Sequence, residues 1–236
     1  MIRDNIASIN KRIASACARS GRDPAGITLV AVTKNRTVEQ INGVIGSGIS
    51  AIGENKVQEA LSKLSDSGFH LGQSDGQVRA SAPQRSAVSL HMIGHLQSNK
   101  AKDAVRIFDL IHSVDSFKLC AELDKQAARI NKVQDILIEV NTSAEASKFG
   151  INPEGLEDLA RAVCGLKNIR LLGLMTIAPA VDDPEKVRPY FRKLRELKDN
   201  IPGLKVLSMG MTDDFEVAVE EGSTMVRIGR AIFDQE

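Results

Sequence analysis

Long apolar runs are missing from this 236-residue chain. No stretch approaches the roughly 18 apolar residues that a helix needs to cross a bilayer, so no transmembrane segment is expected. The N-terminus, Met1 to Ile6, has no apolar core of the kind that a secretory signal carries. Charge of one sign is missing too: 31 basic side chains face 30 acidic ones, and no block of like charge occurs. That speaks against an electrostatic nucleic-acid binder and against a membrane-surface protein. Cysteine occurs only at Cys17, Cys120 and Cys164, without a CxxC pair. Such usage predicts buried, free and inert thiols in a reducing compartment, and hence a cytoplasmic protein. No HExxH is present, and His91, His95 and His112 lack metal-ligand spacing, so no metal is expected. His112 reads as a core or rim histidine, and His70 falls in a polar stretch.

What remains is an ordinary globular composition, 42% hydrophobic and 26% charged, in a length that suits one α/β domain spanning 1–236. A core of that size needs no disulfide or metal. Ile2, Ile6, Ile9, Ile13 and Cys17 recur at spacings of three and four, which predicts a helix over residues 2–20, stopped by Gly21. Short apolar runs then alternate with helical patterns, which predict helices at 38–45, 56–64, 98–105, 116–130, 153–164, 184–198 and 213–220. Strands are predicted at 28–33, 49–53, 91–94, 110–114, 136–140, 169–175, 205–209 and 224–228. Runs of this kind, buried on both faces, belong to a parallel sheet. Eight βα units predict a closed (β/α)₈ TIM-type barrel with an extra N-terminal helix. An open doubly wound sheet is the alternative. It is weakened in its dinucleotide-binding form because no GxGxxG follows the first strand. Residues 68–86, rich in Gly, Ser, Gln and Pro, predict a loop insertion before the third strand.

Barrel active sites sit at the C-terminal ends of the strands. Lys34 follows the first strand directly. A lysine at an apolar mouth loses hydration and becomes a nucleophilic amine able to form a Schiff base with an aldehyde. The bland reading is a structural lysine paired with Glu54. After the seventh strand, Ser208-Met209-Gly210-Met211-Thr212 supplies two hydroxyls, and Gly229 follows the eighth, where barrels often hold phosphate. Arg227 lies inside an apolar strand. It either faces a ring nitrogen or pairs with Asp213, Asp214 or Glu54. The two aspartates also suit the opening of a helix.

These residues stand in segments that resemble the pyridoxal phosphate homeostasis protein family: LVAVTK (29–34), IGENKVQEAL (52–61), HMIGHLQSNK (91–100), IHSVD (111–115), VNTSAEASKFG (140–150), GLMTIAP (173–179) and LSMGMTDDFEVAVEEGSTMVRIGRAIF (207–233). The resemblance covers nearly the whole chain. It implies an alanine-racemase-type barrel, monomeric or weakly associating, with pyridoxal 5'-phosphate on Lys34. It further implies phosphate held around Ser208, Thr212 and Gly229, and Arg227 near the pyridine nitrogen. Asn55 and His95 fall in motifs near the cofactor. Two departures stand out: the polar loop at 68–87 is long for the family, and Arg230 replaces a commoner small or polar residue.

Racemising an amino acid needs proton removal on one face and delivery on the other. Alanine racemases bring the second group, a tyrosine, from the partner subunit and carry an added β-domain. Here Tyr190 is the only tyrosine and falls in a predicted surface helix. The expected function is therefore binding and delivery of the cofactor in vitamin B6 homeostasis, without robust turnover. Pyridoxal-phosphate-dependent apo-enzymes are the expected partners. A racemase or weak decarboxylase on the same cofactor, and a cofactor-free Schiff-base aldolase, are the alternatives.

Overall fold

A computed structural model describes residues 1–69, 88–143, 145 and 148–234 of the chain. Eight parallel strands close into a barrel in strict sequence order: β1 (Thr28–Val32), β2 (Ala51–Glu54), β3 (Ser89–Met92), β4 (Leu110–Val114), β5 (Gln134–Glu139), β6 (Ile169–Met175), β7 (Val206–Ser208) and β8 (Met225–Ile228). β8 pairs with β1, with Val30 opposite Arg227, so no open sheet edge remains and the doubly wound alternative is excluded. Register shifts interrupt the β4–β5 and β5–β6 pairs.

The helices α1 (Ile2–Ser20), α2 (Val38–Ile45), α3 (Val57–Leu64), α4 (Ala101–Ile107), α5 (Phe117–Ala128), α6 (Leu156–Cys164), α7 (Arg188–Asp199), α8 (Phe215–Glu220) and α9 (Arg230–Phe233) surround the strands. Their local signals are plain. α2 starts with a reciprocal capping box between Thr37 and Gln40. α1 ends at Gly21 in the left-handed conformation that glycine adopts most readily. α1 buries Ile6, Ile9, Ile13 and Cys17 and packs against α8 and α9.

Strand alternation divides the interior in two. One side of each strand joins a large outer core under the helices. The other side points to the barrel axis, where Val30, Ala51, Leu110, Leu137, Met175 and Met225 fill the middle. That plug makes the barrel a packed core with a mouth above it.

The predicted rhythm holds, with boundary corrections. β2 begins at Ala51 rather than at 49, and β3 at Ser89 rather than at 91. The helices expected from Ser98, Pro153 and Pro184 open with a 3₁₀ turn. The expected burial of all three thiols fails at Cys164, which is exposed, while Cys17 and Cys120 are buried. The insertion expected at 68–86 falls almost entirely on residues 70–87, outside the described residues. No helix among the described residues is long and apolar enough to cross a membrane.

Candidate functional site

Lys34 stands two residues past Val32 and continues the inward parity of β1. It is exposed, and among the described residues its amine has no hydrogen bond or ion pair. The pairing of Lys34 with Glu54 is thereby excluded. Glu54 instead points behind the barrel wall and accepts from Lys63 Nζ at 2.7 Å and Thr33 Oγ1 at 2.6 Å. The amine at the mouth is left free for a ligand.

Arg227 is the neighbouring feature, on β8, 4% exposed and facing the axis. The three acids considered for it are occupied elsewhere. Asp213 pairs with Arg230, Asp214 Oδ1 accepts the Met211 N–H, and Glu54 is held by Lys63. Arg227 Nη1 donates to Ser208 Oγ at 2.7 Å and Nη2 to the Thr176 carbonyl at 3.0 Å. Burial pushes its pKa down to about 10, opposed by the fields of Glu139 and Asp214. A guanidinium has five N–H donors, so these two bonds leave capacity for a further acceptor.

Beneath Arg227 runs a buried polar chain. Ser208 Oγ lies 2.9 Å from His112 Nδ1, His112 Nε2 lies 3.1 Å from His91 Nδ1, and His91 Nε2 lies 2.9 Å from Ser89 Oγ. Ser89 Oγ in turn donates to the Ser50 carbonyl at 3.1 Å. Burial keeps both imidazoles neutral: it drives the His91 pKa down to about 4, and that of His112 well below the usual value, helped by His91 and Arg227. Ser89 Oγ has one proton and spends it on the Ser50 carbonyl, so it accepts from His91 Nε2–H, and the direction of the chain follows from that end. His112 donates from Nε2 to His91 Nδ1, and Ser208, which accepts from Arg227, donates to His112 Nδ1. Each neutral ring carries its proton on Nε2.

The Ser208 hydroxyl, expected at the phosphate, is fully buried and lies between Arg227 and His112. Thr212, half-buried, and Gly229 remain at the rim. A Cβ added at Gly229 would stand 3.3 Å from Val32 Cβ, so glycine lets the end of β8 close onto the end of β1 beneath Lys34. Lys34, Arg227 and Gly229 thus come from two adjacent strands. Arg230, the departure at the family motif, is exposed and engaged with Asp213.

Asn55 and His95 lie to one side. Together they border a cavity of about 220 Å³, which neither Lys34 nor Arg227 lines. His95 stacks on Phe149, centroids 3.9 Å apart, with Nδ1 3.7 Å from Asp115. Sequence reasoning missed three residues. Glu139 faces the axis from β5, nearly buried, its carboxyl pushed up to about 7 by burial against the opposing field of Arg227. His112 was placed in the core or rim, without its link to Arg227. Lys63 carried no signal beyond ordinary helical charge. Strand parity would have found Glu139, two residues after the inward Leu137. Among the described residues no cluster of histidine, cysteine and carboxylate could hold a metal ion.

The model of the alanine racemase N-terminal domain matches residues 2–235. A pyridoxal phosphate homeostasis protein of Aquifex aeolicus is 41% identical over 237 residues, spanning 98% of this chain and 97% of the relative. PipY of Synechococcus elongatus, solved with PLP bound, is 31% identical with a TM-score of 0.77, over 99% of this chain and all of that one. An alanine racemase of Clostridium difficile shares the fold alone, at 12% identity and a TM-score of 0.70, and this chain covers 59% of its length. The chain belongs to the pyridoxal phosphate homeostasis proteins, a family built on the alanine racemase N-terminal domain.

Proposed function

We propose that the protein holds pyridoxal 5'-phosphate as a Schiff base on Lys34 and serves vitamin B6 homeostasis as a carrier, with no robust turnover. The observation that carries the reading is the unpartnered Lys34 amine at the mouth, one strand from a buried arginine with unspent donors.

The donor set fits the group. Lys34 supplies the amine for the aldehyde. Arg227 supplies a charged donor for the ring nitrogen, in an orientation set by Ser208 and the Thr176 carbonyl. Thr212 and the bare backbone at Gly229 would hold the phosphate, and Asn55 the polar edge nearest β2. His95 would act from the rim. When bound, the cofactor supplies an electrophilic imine and a conjugated ring able to accept electrons. Arg227 works against the second property, because a permanently protonated donor leaves the ring nitrogen unprotonated and a weaker electron sink. Tyr190 sits on α7, outside the barrel, and is not placed to move a proton at the mouth. Both points favour holding over turnover.

One observation favours a second reading, slow amino-acid chemistry: the nearly buried Glu139, whose carboxyl titrates near neutrality and could take a proton. Recipient apo-enzymes are the expected partners of a carrier, in the cytoplasm.

The test is an absorbance titration of the purified protein with pyridoxal phosphate. A visible band that saturates near one equivalent, is absent from Lys34→Ala and persists in excess alanine supports a carrier. A band lost to amino acid with racemised product points to the second reading. No band at all sinks the Lys34 assignment.

A further inference from the structure

The turn that carries Lys34 is gripped on both sides by residues from outside the barrel. The Thr33 carbonyl accepts from Lys63 Nζ at 2.7 Å. The Asn35 N–H donates to Glu59 Oε1 at 2.6 Å. Lys63 Nζ also donates to Glu54 Oε1 and Glu59 Oε1, each at 2.7 Å. Its three N–H groups are thereby all committed. The side chain is 11% exposed, on the α3 face turned to β2. Asn35 itself adopts a φ of 58°, a left-handed conformation that asparagine tolerates and most residues do not. The peptide groups immediately before and after Lys34 are fixed, while nothing holds its side chain.

A purely structural role explains this cluster poorly. Two carboxylates share one ammonium, and Glu54 Oε2 is buried without a hydrogen-bond partner among the described residues. An unmet buried carboxylate oxygen costs stability, and an apolar cluster of similar volume would serve packing at least as well. Such costs gather where geometry has a use.

We propose that Lys63 is a positioning residue for Lys34: through the Thr33 carbonyl, and through Glu59 to the Asn35 N–H, it fixes the backbone from which the amine reaches its aldehyde. A lysine stem is long and flexible, so anchoring its root narrows the volume the amine samples and raises the fraction of productive approaches. The proposal rests on the assignment of pyridoxal phosphate to Lys34.

The experiment compares wild type, Lys63→Met, Lys63→Arg, Glu59→Ala and Lys34→Ala. Two quantities are read: hydrogen exchange at the Asn35 amide in cofactor-free protein, and the rate and half-saturation of band formation with pyridoxal phosphate. Lys63→Met keeps the apolar stem and removes the donors. The expected result is a folded variant with Asn35 exchange about tenfold faster and band formation about tenfold slower, largely rescued in Lys63→Arg. Should Lys63→Met fail to fold, Glu59→Ala frees the Asn35 N–H while sparing the Glu54–Lys63 pair, and the same two shifts are expected. A normal band in wild type with unchanged exchange and kinetics in the folded variants overturns the positioning role alone. Absence of the band in wild type overturns the Lys34 assignment, and the positioning role with it.

Discussion

At the scale of single residues, the chemistry turns on charges kept apart. Lys34 has a free amine because Lys63, not Lys34, neutralises Glu54. Arg227 keeps donors to spare because Asp213, Asp214 and Glu54 all have other partners. Arg227→Gln is expected to bind pyridoxal phosphate at least about tenfold more weakly, since a charge-assisted bond contributes about 1.5–3 kcal/mol. An unchanged dissociation constant would place the ring elsewhere. The His112–His91 pair makes a pH prediction. The folded pKa values lie below the unfolded value of about 6.5, so below that pH the unfolded chain binds more protons and stability falls as pH drops. For His91, with its pKa at about 4, the loss approaches about 3 kcal/mol by that pH. Glu139 acts in the opposite sense. Its pKa is raised to about 7, so its contribution is lost as pH rises from about 4.5 toward 7. Burial also raises the carboxyls of Glu54 and Asp214, which act in the same sense as Glu139, so the imidazole contribution is read as the difference between wild type and His91→Gln. Urea midpoints measured from pH 7 to pH 5 check this: the advantage of wild type over His91→Gln is expected to shrink on acidification, and a constant difference would contradict it. The places of Lys34, Thr212, Arg227 and Gly229 at strand ends were legible in the sequence, because strand ends mark the mouth of a barrel. The hydrogen bonds of Ser208 to Arg227 and His112 were not. They depend on which side chains of β4 and β7 meet across the axis, and no local pattern encodes that.

At the scale of elements, spacing in the sequence carried most of the fold. The eight apolar runs became eight strands, and Val38–Ile45 became α2 with the expected bounds. Errors gather at helix N-termini, at Ser98, Pro153 and Pro184, where the chain first tightens into a 3₁₀ turn that leaves no separate periodic signal. The strands impose demands of their own. A Cβ on Gly173 of β6 would stand 1.9 Å from the Val206 carbonyl oxygen of β7, its ladder partner. Backbone cannot yield there as a flexible side chain would. Gly173→Ala is expected to cost more than about 3 kcal/mol or to abolish folding, read as the denaturation midpoint. A near-native midpoint would mean that β6 and β7 do not approach as described.

For the whole molecule, closure does two things. It hides every strand edge, and it brings β8 beside β1, so that the last strand's Arg227 and Gly229 adjoin the first strand's Lys34. Residues 193 positions apart in sequence, Lys34 and Arg227, become neighbours only through that final pairing. The apolar plug below and the neutral histidine pair beneath Arg227 leave one polar end, and the free amine is there. The assignment of the cofactor to Lys34 is tested most directly by borohydride reduction of the protein with one equivalent of pyridoxal phosphate, followed by peptide mapping. A single pyridoxyl label on Lys34, lost in Lys34→Ala, is the expected result. A label spread over other lysines, with Lys34 unmodified, would overturn the assignment.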